Sequence, residues 1–101
     1  MQMDSIVEGG VARLVMSGRF DFTAHREFRR VSSELIDMNA VSTIVLDFGG
    51  LTYLDSAALG MLLMARERSE NLGKRLSLTN CRGSVAQVLE IANFHKLFDM
   101  A

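Results

Sequence analysis

Apolar positions recur along this chain with two different periods. From Val11 to Phe20 they alternate, with Val11, Arg13 and Val15 set against Ala12, Leu14 and Met16, the two-residue period of a strand. Gly9-Gly10 reads as a turn from a preceding short strand, so the first two strands form a hairpin. Gly18 and Asp21 end the second strand. The period then becomes helical. Ala24, Phe28, Val31 and Leu35 form an apolar stripe on a helix from Ala24 to about Met38, and His25, Arg26, Arg29, Arg30 and Glu34 cover its solvated side. Thr23 is the predicted N-cap, with Glu27 one position late for a capping box.

Val41 to Phe48 is apolar except for Ser42, Thr43 and Asp47, a run that fits a strand buried on both faces of a sheet carrying parallel strands. A loop containing Gly49-Gly50 follows. Asp55-Ser56 then stands where the second helix begins, and Gly73 suits its C-terminal cap. Leu76 and Leu78 alternate with Ser77 and Thr79 in a further strand from Arg75 to Asn80. Ser84 and Gln87 have capping-box spacing, opening a third helix through Ile91 or Ala92. Leu97-Phe98 adds a short edge strand or a packed turn. The predicted order is β-β-α-β-α-β-α-(β): an α/β single domain over residues 1–101, with a mixed four- to five-stranded sheet and three or more helices.

At 101 residues, 49% hydrophobic and 23% charged, the chain can bury a core without disulfides or metals. The net charge of -1 gives no reason to expect nucleic acid as a partner. The start, MQMDSIVEGG, lacks the basic region and apolar core of a secretory leader, and the run Ala57 to Ala65 is too short to span a bilayer. A cytoplasmic location without membrane insertion is expected. The one cysteine, Cys81, reads as small core filler. One cysteine and two distant histidines have no metal-ligand spacing, and no cofactor is expected. Ser56, His25 or His95, and Asp21 or Asp55 supply the letters of a triad. The G-x-S-x-G elbow is absent, however, so no catalytic residue is assigned and an enzyme is not expected. Gly49-Gly50 lacks the lysine and spacing of a phosphate-binding loop.

The second helix carries the functional signal. At steps of ~100° per residue, Ala58, Met61, Leu62, Ala65 and Leu72 fall on one side and should face the sheet. The other side carries Ser56, Gly60, Leu63, Met64 and Glu67, with Leu59 on its flank. A helix apolar nearly all round is either fully buried or meets a second surface. The expectation is an exposed partner-binding patch of Ser56, Leu59, Gly60, Leu63 and Met64, the alternative being cover from helix three or the C-terminal segment. A helix start tolerates an anion, so a phosphate on Ser56 would leave the helix intact while adding about -1.5 to -2 charges to the patch. Ser56 as a simple cap, with or in place of Asp55, is the competing reading.

These residues together resemble the STAS domain of bacterial anti-sigma factor antagonists. The resemblance rests on Gly18-Arg19-Phe20-Asp21 with Thr23-Ala24, on Ile44-Val45-Leu46-Asp47-Phe48 leading through Leu51 to Leu54-Asp55-Ser56, and on Leu89-Glu90-Ile91-Ala92 with Leu97-Phe98. It implies a STAS-like fold and a partner switch. Ser56 would be phosphorylated by an anti-sigma factor/serine kinase of the GHKL type and dephosphorylated by a PP2C-like phosphatase. The unphosphorylated form would bind the kinase. Asp55 would be the adjacent acid and helix cap, and Asp21 would contribute to kinase contact. Such a protein is expected to be a monomer or weak dimer. The chain departs from the family's Asp-Ser-Ser-Gly or Asp-Ser-Thr-Gly in having Ala57-Ala58 after Ser56. The alternative is a constitutive STAS subunit of another complex, such as a lipid-transport ABC system.

Overall fold

The computed structural model describes residues 1–100. β1 (Gln2–Glu8) and β2 (Val11–Phe20) form the expected hairpin, with Glu8 opposite Val11. Gly9 and Gly10 both take positive φ, 59° and 82°, as a two-residue primed turn requires. After β2 a 3-10 turn (Phe22–Ala24) leads into α1 (His25–Asp37). The cap differs from expectation. Asp21, in extended backbone, accepts from the Thr23 N–H at 3.0 Å and from the Thr23 hydroxyl. Thr23 is therefore a donor inside a turn that has already begun, and it is not the cap. α1 buries Phe28, Leu35 and Ile36, together with Ser32.

β3 (Thr43–Leu54), α2 (Ser56–Asn71), β4 (Arg75–Thr79), α3 (Gly83–Ile91) and β5 (Asp99–Met100) complete the chain. The sheet order is β1-β2-β3-β4-β5, with β1 antiparallel to β2 and the remaining neighbours parallel. The fold is the mixed five-stranded, three-helix form of the predicted order. Gly73, at φ 70°, ends α2, its N–H reaching Glu70 O while that of Lys74 reaches Ser69 O.

Three expectations change in detail, and one open alternative is decided. β3 is not buried on both faces: Ile44, Leu46 and Phe48 are buried, while Thr43, Val45 and Asp47 are partly open. One face of the sheet meets the helices and the other is open to solvent. The Gly49-Gly50 segment is not a loop but the middle of β3. α3 begins at Gly83 after Arg82, without a side-chain cap, so Ser84 and Gln87 do not form the expected box. Leu97-Phe98 takes the packed-turn alternative: Leu97 closes the 3-10 turn Phe94–Lys96, Phe98 turns inward and stacks on Phe94 with ring centroids 5.3 Å apart, and a last short strand follows at Asp99–Met100. The core is centred on Phe20, whose ring lies 4.9 Å from that of Phe28 and 6.5 Å from that of Phe48. This joins β2, α1 and β3 immediately below the strand ends.

Candidate functional site

Parallel strands β2 and β3 end side by side, and their ends set the site. Two register shifts separate Val15↔Asp47 from Phe20↔Leu54, so β3 uses two more residues than β2 over this stretch. Gly50 makes the first shift possible. A Cβ there would lie 2.8 Å from Ser17 Cβ and 2.9 Å from Met16 O. The bulged strand delivers Asp55 beside Asp21, and the Asp55 N–H donates to Phe20 O at 3.3 Å. The two aspartates singled out from the sequence are thus brought together, each capping the helical segment that follows it. Asp55 Oδ1 accepts from the Ala58 N–H at 2.9 Å.

Ser56 is the first residue of α2 and is exposed. The cap is Asp55, so the serine hydroxyl stands at the helix start without being needed to close it. Beyond it, α2 buries Ala58, Met61, Leu62, Ala65 and Ser69. Leu72, placed on the core side from sequence, is exposed, because the helix ends at Asn71 and Ser69 takes the inward position, its hydroxyl donating to Ala65 O at 2.8 Å. On the outward side Leu63 is 40% exposed and Met64 59% exposed, Gly60 is exposed and Leu59 is half-buried. The C-terminal segment meets α2 at Arg66, whose Nε donates to Leu97 O at 2.7 Å, and leaves Leu63 and Met64 open. α3 packs against β3.

Three residues that sequence reasoning left without a role lie at the same end. The Arg19 guanidinium sits 4.0 Å from the Tyr53 ring centroid and 3.8 Å from Asp21 Oδ2. Phe22, between Asp21 and α1, is 69% exposed. Their signal was the parallel pairing Arg19↔Tyr53, which depends on the bulges. The hydrogen bonds from the Thr23 hydroxyl and N–H hold Asp21 below the usual carboxylate range, with Arg19 adding to the effect.

On the open sheet face, burial pushes the Asp47 carboxyl up. The Gly49 N–H, Asn80 and Arg13 together outweigh that effect and leave its pKa lowered. Cys81, half-buried nearby, has its thiol pushed up to about 11, first by burial and then by Asp47. It is a thiol at neutral pH, which matches filler and not a nucleophile.

The family described as "Mlab, STAS domain" matches residues 7–99. A STAS-domain containing protein of Pseudomonas aeruginosa strain UCBPP-PA14 is 38% identical over 96 residues, spanning 93% of this chain and 91% of its own. Among solved structures, the anti-sigma factor antagonist SpoIIAA in its unphosphorylated form superposes with a TM-score of 0.74 at 24% identity, over 99% of this chain and 86% of that one. The Bacillus SpoIIAA phosphorylated form gives 0.73 at 24% identity over 99% and 89%. A sulfate transporter family protein of Wolinella succinogenes gives 0.76 at 19% identity over 91% and 74%. One fold therefore occurs both in antagonists and in transporter-family proteins.

Proposed function

This chain belongs to the STAS domain family, and from that premise we propose that it is a phosphorylation-controlled partner-switching regulator of the anti-sigma factor antagonist kind. In this reading it binds an anti-sigma factor/serine kinase of the GHKL type when Ser56 is unphosphorylated and releases it when Ser56 is phosphorylated, a PP2C-like phosphatase reversing the change. The domain is a single one over residues 1–101, without catalytic machinery of its own, and works in the cytoplasm.

The observation that carries the reading is the division of labour at the start of α2. Asp55 holds the cap, so exposed Ser56 is free for modification, and Leu59, Gly60, Leu63 and Met64 follow it on one side of the helix. A phosphate at the first helical position is favoured by the unpaired N–H groups and the macrodipole, so the helix survives modification. The binding surface does not. A partner closing over Leu63 and Met64 would have to desolvate a dianion beside them. Asp21, next to Asp55 on the adjoining strand end, adds the polar edge of this surface. SpoIIAA, an anti-sigma factor antagonist known in unphosphorylated and phosphorylated forms, lends the reading support at the level of fold.

The second reading, a constitutive STAS subunit of another complex such as a lipid-transport ABC system, is favoured by the family description and by the transporter-family neighbour. Paired baits separate the two. Purified Ser56→Ala and Ser56→Asp proteins are incubated with lysate of the native host, and retained proteins are identified by mass spectrometry. The switch requires a kinase held by the alanine bait and lost by the aspartate bait. The same proteins held by both baits would make the subunit reading the correct one.

A further inference from the structure

Helices α1 and α2 both follow strands of a parallel set and run in the same direction, and a groove of about 450 Å³ lies between them. Its apolar lining is supplied by Phe28, Ile36, Met61, Met64, Ala65 and Leu72. Phe28 and Ile36 are buried beneath it, while Met64 and Leu72 are largely exposed at its rim. The volume is that of a small-molecule site, and methionine walls adapt to varied apolar shapes.

The charges along the groove are unevenly placed. At the C-terminal ends of the helices, Arg68 grips Asp37 through contacts of 2.7 and 2.9 Å to its two oxygens, so these two neutralise each other, and Glu67 stands beside them. At the N-terminal end the lining is His25 and Arg29. Arg30, next in sequence, is held by Glu34 at 3.3 Å and Glu27 at 3.9 Å. Arg29 has no carboxylate within 4.0 Å among the described residues. The groove thus has an apolar floor, a free guanidinium at one end and a carboxylate at the other. That pattern fits an elongated molecule with a single anionic head and an apolar body. The head lies against Arg29 and the tail runs toward Leu72, where Glu67 opposes a second negative group.

We infer that the α1–α2 groove is a binding site for a small amphipathic carboxylate, one that does not include Ser56 but shares Met64 with the outward side of α2. The binding is non-covalent. Arg29 supplies the charge-assisted contact, and Met61 and Met64 close on the chain.

The test uses decanoate, below its micelle-forming concentration, titrated into the isotopically labelled full chain and followed by amide chemical shifts. Decanol and decyltrimethylammonium serve as head-group controls. The expected result is saturable shifts at Ser33, Met61 and Ala65. Both controls, and decanoate with Arg29→Glu, should bind at least about tenfold more weakly, the worth of one charge-assisted contact. Arg29 is exposed, so this variant keeps its fold. The inference is overturned by shifts that do not saturate, by shifts centred on the open sheet face, by equal binding of the three head groups, or by an Arg29→Glu protein that binds decanoate unchanged. Ser56→Asp should bind decanoate like wild type, so failure of the switch and failure of this site are read separately.

Discussion

At the scale of the residue, neighbouring side chains at the start of α2 divide the work between holding the helix and exposing a modifiable group. Asp55→Ala leaves the Ala58 N–H without its acceptor and should cost about 1 kcal/mol of stability, the usual worth of an N-cap. Ser56→Ala removes an exposed hydroxyl and should stay within about 0.5 kcal/mol of wild type. Urea denaturation of the two variants measures both, and the reverse ranking would make Ser56 the structural residue. The lowered pKa values of Asp21 and Asp47 carry a pH consequence. A carboxylate whose folded pKa is depressed stabilises the fold above its unfolded value, near the ordinary 3.8, and loses that contribution as pH falls through the folded value. Stability should therefore be level at pH 5 and above with respect to these groups and decline below about pH 4. Asp47→Asn should flatten part of that decline in melts recorded at pH 3 to 6, and an undiminished slope would assign the acid sensitivity elsewhere.

At the scale of the element, two glycines with opposite surroundings test the geometry. Gly50→Ala drives a methyl into Ser17 and the Met16 carbonyl where β3 bulges against β2, and should destabilise by about 1–3 kcal/mol. Gly60, inside α2, has nothing within 4 Å of an added Cβ. Gly60→Ala should stabilise the isolated domain by up to about 1 kcal/mol, since alanine is the better helix former. If the outward side of α2 is a partner surface, the same change should weaken partner binding. Gain of stability with unchanged affinity would remove Gly60 from the interface. These positions also mark where sequence was and was not sufficient. Alternation in β2, the stripe of α1 and the Asp55-Ser56 start of α2 were legible, because each follows from a local period or cap. The bulges of β3 were not, because they depend on contact between strands 34 residues apart in sequence, as in the Thr52 hydroxyl bonded to Gly18 O. Two glycines in a row read as a loop when the neighbouring strand is unknown. For the same reason the Arg19–Tyr53 stack was invisible. The cap at Asp21 is local, and there two cap-forming residue types two positions apart, Asp21 and Thr23, competed for the role.

At the scale of the whole molecule, the order of elements was legible because strand and helix periods alternate cleanly, and the family resemblance carried the fold the rest of the way. The face of the sheet left open was not legible, because the sequence does not say on which side each crossover helix lands. Its consequence is functional. All helices lie on one side, and the parallel neighbours β2 and β3 end together, so Asp21, Asp55 and Ser56 are presented at one end of the sheet, with the α2 patch and the α1–α2 groove adjoining. On the proposed function, a charge placed at Ser56 turns partner binding off without unfolding the domain. This is tested most directly by calorimetric titration of the kinase retained on the Ser56→Ala bait. The titration is made against wild-type protein and against protein carrying phosphoserine at position 56, with circular dichroism of both forms. Superimposable spectra are expected, with an affinity lower by on the order of 100-fold for the phosphorylated form, equivalent to about 2.7 kcal/mol of desolvation cost. Equal affinities, or a phosphorylated form that has lost its helical signal, would contradict it.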